Sequence, residues 1–340
     1  MALITLSRGA FFHNVDVIAA RTGIERIAAV LKDNAYGHGL EQMANLAIEA
    51  GITKAVVRTV QEASLLVGKF ERILVLGRVT GSVPEGVEVA LNALEVIEAL
   101  APKTRVHLKI DTGMHRSGIA LEELDEALGR IEAAKLELVG FFSHLRGADE
   151  LSTTFFWQRA NFQKARQQVE AWCRARGYTL PACHLHNSAG IFRQEDFSDY
   201  DWVRPGIALY GYLGMDPALR EPALRPVLKL WGEKIATRTI PKGAKVGYNG
   251  AFTAPFKMEI STYDVGYGDG FFRFDGSEGL VTPSGKKVLG KVSMDMVSIE
   301  GSDEKVCIMD DAAYIAKLAC TISYEVTTRL SPSIPRVIVD

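Results

Sequence analysis

The chain has little of what marks membrane, secreted or nucleic-acid-binding proteins. Its longest apolar runs are strand-sized, far short of the roughly 20 residues that span a bilayer. Lys and Arg (39) nearly balance Asp and Glu (41), and the net charge of −2 provides no basic surface for nucleic acid. The start, MALITLSRGAFFHN, lacks a basic segment followed by a long apolar core, so we expect no secretion signal.

Cysteine is also scarce. The four cysteines, Cys173, Cys183, Cys307 and Cys320, are scattered and form no Cys-x-x-Cys pair. This pattern is typical of reduced thiols in the core of a cytosolic protein. We therefore expect a cytoplasmic protein that binds neither membranes nor nucleic acid.

The first two-thirds of the chain alternate between two patterns. Short β-branched runs alternate with stretches of helical periodicity, such as residues 120–134 and 155–176. The runs show no clean alternation of apolar and polar residues, as expected for strands that are covered on both faces. About eight such runs over roughly two hundred residues predict a (β/α)8 TIM-type barrel, with a doubly wound open sheet as the alternative. The predicted strands are Ile27–Leu31, Ala55–Val60, Ile73–Gly77, Val87–Leu91, Val106–Ile110, Leu138–Phe142, Ala182–His186 and Asp201–Arg204.

The pattern changes near Leu228. Helical stretches become rare, and turn signals such as PKGAKVGYNG and TPSGKK alternate with short strand-like runs. We therefore predict a barrel over residues 9–226 and a mostly-β C-terminal domain over 227–340. The N-terminal strand-like stretch, 1–8, is assigned to this second domain because nothing in the barrel pattern requires it.

Chemically distinctive residues follow the predicted barrel strands, where barrel enzymes carry their active sites. A lysine at a strand end suits Schiff-base chemistry, because partial burial lowers its pKa and frees the amine to attack a carbonyl. Small residues after the last strands suit a phosphate held by backbone N–H groups. Together these features outline a pyridoxal phosphate site. The strand-end residues are Lys32, Lys109, Asp111, His144, Asn187, Ser188, Arg204, Gly206 and Ile207.

At this point the sequence resembles the alanine racemase family. The stretch AVLKDNAYGHG, from Ala29 to Gly39, is similar to the family's pyridoxal phosphate signature. The resemblance continues in family order over nearly the whole chain, through LKIDTGMHRSG, SHLRGADE, HNSAG, RPGIALYG, VGYNGAFTA, VGYGDGFFR, VSMDM and TISYEV. It implies a fold-type III pyridoxal 5'-phosphate enzyme that interconverts L- and D-alanine for peptidoglycan synthesis and works as a head-to-tail homodimer.

The resemblance also implies catalytic roles. Lys32 would form the internal aldimine and act as one base, and Tyr248 of the other subunit would be the opposite base. Two bases are needed because the proton leaves one face of the α-carbon and returns to the other. Since a tyrosine is a poor base at neutral pH, it needs cationic or hydrogen-bonding neighbours, for which His144 backed by Arg204 is the candidate.

The remaining implied roles concern binding. Tyr36, Ser188, Gly206, Ile207 and Tyr324 would hold the phosphate, and Arg204 would face the pyridine nitrogen. His144 and Asn187 complete the predicted cofactor site. The amino-acid substrate would meet Arg116, Met294 and Tyr267, with Asp149 and Arg273 further out. Lys109 matches a lysine that is carbamylated in many members of the family, and whether it is carbamylated here stays open.

Several alternatives remain at this stage. The His184-x-His186 pair places two imidazoles on one strand face, but no third ligand is identifiable, so we predict no metal. A broader amino-acid (serine) racemase is possible, because Arg146 stands where the family usually has a small residue. A fold-type III decarboxylase disagrees with Arg204 and Tyr248. A non-catalytic cofactor carrier, expected to be a barrel alone, disagrees with the second domain.

Overall fold

The computed structural model describes residues 1–277 and 279–340 and divides into two compact units. We call Phe12–Asp33 with Met43–Leu224 the barrel unit. We call Met1–Phe11, Asn34–Gln42 and Arg225–Asp340 the β-rich unit. Of the helices in the described ranges, none is both long and apolar enough to cross a bilayer.

The secondary structure follows the chain in this order. The strands are β1 Leu3–Ser7, β2 Ala28–Val30, β3 Lys54–Val57, β4 Arg72–Val75, β5 Val87–Leu91, β6 Arg105–Lys109, β7 Glu137–Phe142, β8 Ala182–His184, β9 Leu228–Ile240, β10 Lys245–Val246, β11 Phe252–Thr253, β12 Met258–Tyr263, β13 Val297–Glu300, β14 Lys305–Met309 and β15 Arg336–Val339. The helices are α1 Arg8–Thr22, α2 Lys32–Tyr36, α3 Leu40–Glu49, α4 Val60–Ser64, α5 Leu124–Ala133, α6 Thr154–Arg176, α7 Ser188–Arg193, α8 Ala312–Leu318 and α9 Ser323–Thr328.

The barrel unit contains a parallel sheet of seven strands, β2 to β8, in sequence order. Isolated parallel bridges join Trp202 to His184 on β8 and Val203 to Ile27 beside β2. The segment around Trp202 and Val203 therefore stands between the first and last strands as the eighth strand and closes the sheet. The predicted TIM-type barrel is confirmed by the parallel order of these strands and by the two bridges that close the sheet. All five residues of β5 are buried, as expected for a strand covered on both faces.

Helical periodicity explains the outer layer of the barrel unit. In α5, the buried residues Leu124, Ala127, Leu128 and Ile131 recur at spacings of three and four, so one stripe faces the sheet. Helix α6 buries six residues along its 23-residue length and ends at Gly177, whose φ of 70° forms a left-handed C-cap. These local signals can be read from the sequence, and they determine which face of each helix packs on the sheet and where the helix ends.

The β-rich unit is built around the 13-residue strand β9. Its main sheet has the order β13-β12-β9-β1-β15, and β14 also pairs with β9. The N-terminal strand β1 lies antiparallel to β9 and parallel to β15. Alternate residues of β1 are buried, the pattern of a strand with one covered face.

Candidate active site

Lys32 lies two residues after the end of β2, at the start of an unusual backbone turn. The four residues that follow it, Asp33 to Tyr36, all have φ between 51° and 55° although none is glycine. A left-handed turn of L-residues is unfavourable by roughly 1–2 kcal/mol per residue, so the surrounding structure must impose it. Strain of this kind is found at functional sites, and here it fixes the path of the chain directly beyond the lysine.

The loop after this turn is held within the β-rich unit. Arg336 donates hydrogen bonds from Nε and Nη2 to the carbonyl of Gly37, at 3.1 and 2.9 Å. A Cβ on Gly37 would lie 1.9 Å from the carbonyl oxygen of Thr327, and its φ of 81° is left-handed, so only glycine fits. The Asn34 side chain accepts the Leu40 N–H at 2.8 Å and caps the start of α3.

Basic side chains converge at the C-terminal ends of the barrel strands. The charges of Arg204, Arg116, Lys109 and Lys32 all act on His144, and burial together with these charges lowers its pKa to about 3. His144 is therefore neutral at physiological pH. The structure thus brings these five residues, each named from the sequence, into one electrostatic cluster.

Lys109, the last residue of β6, has an unusual environment. Burial and the neighbouring charges of Arg116, Arg204 and Lys32 lower its pKa to about 8, while Asp111 acts in the opposite direction. Its Nζ donates to Ser117 Oγ at 2.5 Å. A lysine in this state is partly unprotonated near neutral pH and can act as a nucleophile.

The segments after β8 and after the eighth strand meet at Ser188. Its Oγ accepts the backbone N–H groups of Gly206 and Ala208, at 3.0 and 3.2 Å. Because the oxygen accepts twice, the hydroxyl proton of Ser188 points elsewhere and is available to an acceptor. Asn187 accepts the Gly190 N–H and donates to the Leu145 carbonyl, both at 3.0 Å, so it braces the turn. Ile207 begins the buried 3₁₀ turn that follows Gly206.

Arg204 is 5% exposed, and both of its Nη atoms donate hydrogen bonds within the barrel unit. Its Nη2 donates to the carbonyl of Ser143 at 2.6 Å, and its Nη1 donates to Nδ1 of His184 at 2.5 Å. Burial lowers its pKa to about 9, which leaves it cationic at neutral pH. His184 is therefore an arginine partner rather than a metal ligand, and the described residues contain no group of three or more His, Cys, Asp or Glu side chains placed to bind a metal.

The sequence pattern did not indicate two further polar residues of the barrel interior. Glu88 on β5 and His107 on β6 are both fully buried, and they continue inward from His184. One signal was available: a glutamate in the middle of the otherwise apolar strand VEVAL is out of place unless it has buried partners.

The β-rich unit carries the other predicted residues, and most of them face outward. Tyr248 is 63% exposed and Met294 is 55% exposed. The Met294 carbonyl accepts the Gly268 N–H at 2.8 Å, which joins the turn of Met294 to the turn of Tyr267. The rings of Tyr36 and Tyr324 lie 5.8 Å apart, so these two predicted phosphate ligands are neighbours.

Arg146, the departure from the family pattern, is an exposed residue with two fixed contacts. Its Nη1 donates to the Gly113 carbonyl at 2.8 Å, and its guanidinium lies 5.9 Å from the centre of the Trp157 ring. These contacts hold the side chain against the loop after β6.

Comparisons with known proteins cover the whole chain. The alanine racemase N-terminal domain matches residues 6–214, and the alanine racemase C-terminal domain matches residues 227–338. An alanine racemase of a Nitratiruptor species is 43% identical over 348 aligned positions, which cover 100% of both chains. One of Campylobacter curvus is 40% identical over 338 positions, 99% of each chain.

Solved structures agree with these sequence matches. Alanine racemase from Bacillus anthracis with bound L-Ala-P has a TM-score of 0.85 at 29% identity, covering 100% of this chain and 95% of that one. Alanine racemase from Streptomyces coelicolor has a TM-score of 0.84 at 29% identity, covering 100% of this chain and 98% of that one. The chain therefore belongs to the alanine racemase family of isomerases.

Proposed function

We propose that this enzyme interconverts L- and D-alanine with pyridoxal 5'-phosphate, using Lys32 and Tyr248 as bases on opposite faces of the substrate. The observation that carries the proposal is the convergence of Lys32, Lys109, Arg116 and Arg204 around a neutral His144 at one end of the barrel. Such an excess of positive charge is complementary to a ligand that carries a phosphate and to a substrate that carries a carboxylate.

The donor set fits the cofactor. The Ser188 hydroxyl, with its proton available, and the backbone at Gly206 and Ile207 suit the phosphate, with Tyr36 and Tyr324 as its further ligands. Arg204, buried and cationic, suits hydrogen bonding to the pyridine nitrogen. When bound, pyridoxal phosphate withdraws electrons from the α-carbon of an attached amino acid and so acidifies its proton.

The protein's own side chains then remove and return the proton of the α-carbon. Lys32 Nζ, at the end of β2, takes or returns it on one face, and Tyr248 Oη does the same on the other. Arg116 and the backbone of Met294 hold the substrate carboxylate, and Tyr267 borders the entrance. Because His144 is neutral, it assists the phenol by hydrogen bonding.

We infer that two copies of the chain share each site, with Tyr248 supplied by the second copy. The high exposure of Tyr248 and Met294 supports this, since a catalytic base and a carboxylate contact work in a water-excluded site. Further large apolar residues of the β-rich unit are exposed, among them Phe256, Met296 and Ile322, as expected for a surface that another subunit covers.

A racemisation assay tests the function. Purified full-length enzyme with added pyridoxal phosphate is incubated with a panel of single L- and D-amino acids, and the enantiomers are separated by chiral chromatography. We expect kcat/KM for alanine to exceed that for serine and for larger side chains. Equal or greater turnover of serine would assign a broader racemase, and release of CO2 without racemisation would assign a decarboxylase.

We propose a cytoplasmic role in supplying D-alanine for peptidoglycan. All four cysteines are free thiols, and Cys320 is exposed, a state that a reducing compartment preserves. Depletion of the protein in its host should create a requirement for D-alanine in the medium. Growth without D-alanine after complete depletion would remove this role without affecting the assignment of the reaction.

A further inference from the structure

A continuous chain of buried polar side chains crosses the interior of the barrel. Glu88 Oε2 lies 2.7 Å from His107 Nε2, and His107 Nδ1 lies 2.8 Å from His184 Nε2. His184 Nδ1 in turn lies 2.5 Å from Arg204 Nη1. We call these four residues the Glu88–Arg204 column. It matters because barrel interiors are ordinarily filled with Val, Ile and Leu.

The column is shielded from water and packed tightly. Glu88, His107 and His184 are fully buried. The ring of His184 stacks between Phe142, at 4.8 Å, and Trp202, at 5.0 Å. A Cβ on Gly140 of β7 would lie 2.2 Å from His107 Nδ1, so this strand position is glycine to admit the imidazole.

Both ends of the column require the same direction of hydrogen bonding. Arg204 is only a donor, so His184 Nδ1 accepts and the neutral ring carries its proton on Nε2. That N–H donates to His107 Nδ1, which places the His107 proton on Nε2 and directs it at the Glu88 carboxylate. The carboxylate is only an acceptor, so the assignment made from the arginine end agrees with the one made from the glutamate end.

Two further arginines keep Glu88 in this state. Arg72 donates from Nε and Nη2 to the two carboxylate oxygens at 2.8 and 3.0 Å, and Arg105 Nη2 lies 2.9 Å from Oε1. Hydrogen bonds from His107 and Arg72, with the charge of Arg72, outweigh burial and lower the pKa of Glu88. The carboxylate is therefore ionised, and both imidazoles stay neutral because burial lowers their pKa values.

We propose that Glu88 is a positioning residue for Arg204: through the directed imidazoles of His107 and His184 it holds the guanidinium in place as a hydrogen-bond donor to the site. The proposal rests on the proposed function for the role of Arg204 at the cofactor. The column itself is a property of the chain without the cofactor. Rings locked at both ends give Arg204 a single orientation, which preorganised electrostatic catalysis requires.

Glu88→Gln provides the sharpest perturbation. Two arginines donate at the Oε1 position and only Arg72 donates at the Oε2 position. The Gln carbonyl therefore favours the Oε1 position, which turns its NH2 group toward His107 Nε2. That nitrogen must then accept, so the protons of both imidazoles move to Nδ1, and His184 Nδ1–H meets the Arg204 N–H. Arg204 Nη1 loses its His184 acceptor and Nη2 keeps the Ser143 and Leu185 carbonyls, whereas Glu88→Asp keeps a carboxylate acceptor and the original direction.

The first experiment reads the tautomers directly. Full-length protein labelled with ¹⁵N-histidine is measured by NMR at neutral pH, with and without bound pyridoxal phosphate, and signals are assigned with His107→Gln and His184→Gln. We expect neutral rings with the proton on Nε2 for both residues in the wild type and on Nδ1 in Glu88→Gln. An Nδ1–H tautomer at either residue in the wild type overturns the column, whatever the enzyme's activity.

The second experiment measures the consequence. In Glu88→Gln we expect kcat for alanine to fall roughly tenfold, the size of one lost charge-assisted hydrogen bond, with KM changed less than about twofold because Arg204 does not contact the substrate carboxylate. Glu88→Asp should recover most of the loss. The matched control is Glu98→Gln, which breaks an exposed bidentate pair with Arg130 and should leave kcat unchanged.

These outcomes separate the inference from the proposed function. Reversed tautomers with wild-type kcat in Glu88→Gln would overturn the positioning role, and so would an Asp variant as slow as the Gln variant. A wild type that fails to racemise alanine would overturn the proposed function. In that case the histidine tautomers would still report whether the column is built as described. The same holds if Glu88→Gln fails to fold, because the tautomers of the wild type are measured without any variant.

Discussion

Most candidate residues of the barrel unit are buried or half-buried, whereas most of those in the β-rich unit are exposed. The exceptions include Arg116 in the barrel unit and Tyr36 in the β-rich unit. In the barrel unit, Arg204 and Ser188 are each 5% exposed and are held by several hydrogen bonds. In the β-rich unit, Tyr248 and Met294 are more than half exposed. Both sets belong to one proposed reaction, so the difference needs a physical reason.

The difference indicates which residues are organised in a single copy and which depend on a second copy. A buried, hydrogen-bonded side chain keeps one geometry at low entropic penalty and is ready to bind. An exposed tyrosine acquires a defined environment only when another surface covers it. We therefore expect changes in the barrel unit to act within their own copy, and changes at Tyr248 to act across an interface.

Lys32→Ala should have the largest effect. It removes the amine proposed to attach the cofactor and one of the two bases, so alanine racemisation should fall by more than about 10⁴-fold. The visible absorbance of the bound cofactor should disappear at the same time. Lys69→Ala, at an exposed surface lysine, is the control and should keep both signals. An unchanged absorbance in Lys32→Ala would exclude Lys32 as the attachment point.

Tyr248→Phe should have the next largest effect and should be asymmetric. Removal of one phenol leaves Lys32 active on its own face, so α-proton exchange with solvent should slow by about 10²–10⁴-fold for one enantiomer of alanine and far less for the other. Deuterium exchange followed by NMR measures both rates. Equal losses for the two enantiomers would contradict the two-base scheme.

Subunit mixing tests whether Lys32 of the barrel unit and Tyr248 of the β-rich unit act together across an interface between two copies. When the Lys32→Ala and Tyr248→Phe proteins are mixed and exchange freely, about half of the dimers are hybrids with one intact site of two, so about one quarter of wild-type activity should return. Subunit exchange is verified by mass spectrometry of differently tagged chains. No recovery after verified exchange would place both residues in the same copy's site.

Acid should destabilise the fold through its buried histidines. Burial lowers the pKa of His38 to about 4 and that of His186 to about 3, against 6.5 for a free histidine. Below pH 6.5 the unfolded chain binds protons that the folded chain excludes, so the free energy of unfolding should fall as the pH drops from about 6.5 to 4, by roughly 3 kcal/mol per histidine.

Urea unfolding at successive pH values measures this slope. His186→Phe, in a site already lined by Phe197 and Tyr200, removes one titrating group and should make the slope shallower while keeping an aromatic ring. The comparison uses the change with pH rather than the absolute stability, so a constant loss from the substitution does not matter. Parallel curves for the two proteins would show that His186 is not held neutral by the fold.

Lys109 should react with CO2 near its pKa. At a pKa of about 8, a substantial fraction of the amine is unprotonated at pH 8 and can form an N–C bond to CO2 with release of one proton. ¹³C NMR in labelled bicarbonate should show a carbamate signal that is absent in Lys109→Arg. The same spectrum in the wild type and the variant would leave Lys109 as a simple cation.

Arg146→Ala should have the smallest effect. The guanidinium contacts the Gly113 carbonyl and lies near the ring of the exposed Trp157. Removing it should change kcat/KM for alanine by less than about twofold, in keeping with the small effect of most exposed polar contacts. A gain in activity toward serine would show that this residue restricts the substrate.

The sequence by itself determined the architecture and one end of the site. Apolar runs alternating with helical periodicity indicated eight barrel strands, and parallel strands present their C-terminal ends on one side. Lys32, Lys109, His144, Ser188 and Arg204 were therefore expected at one end of the barrel, and the charges of Lys32, Lys109 and Arg204 do act on His144. Periodicity suffices here because it depends only on neighbouring residues.

Only the tertiary structure decided which side chains meet inside the barrel. Glu88, His107, His184 and Arg204 are linked over separations of 19, 77 and 20 positions, which no local pattern encodes. The left-handed turn from Asp33 to Tyr36 was equally hidden, because none of its residues is the glycine that normally signals positive φ. Both features depend on long-range packing, which can force a backbone or bury a charge against local preference.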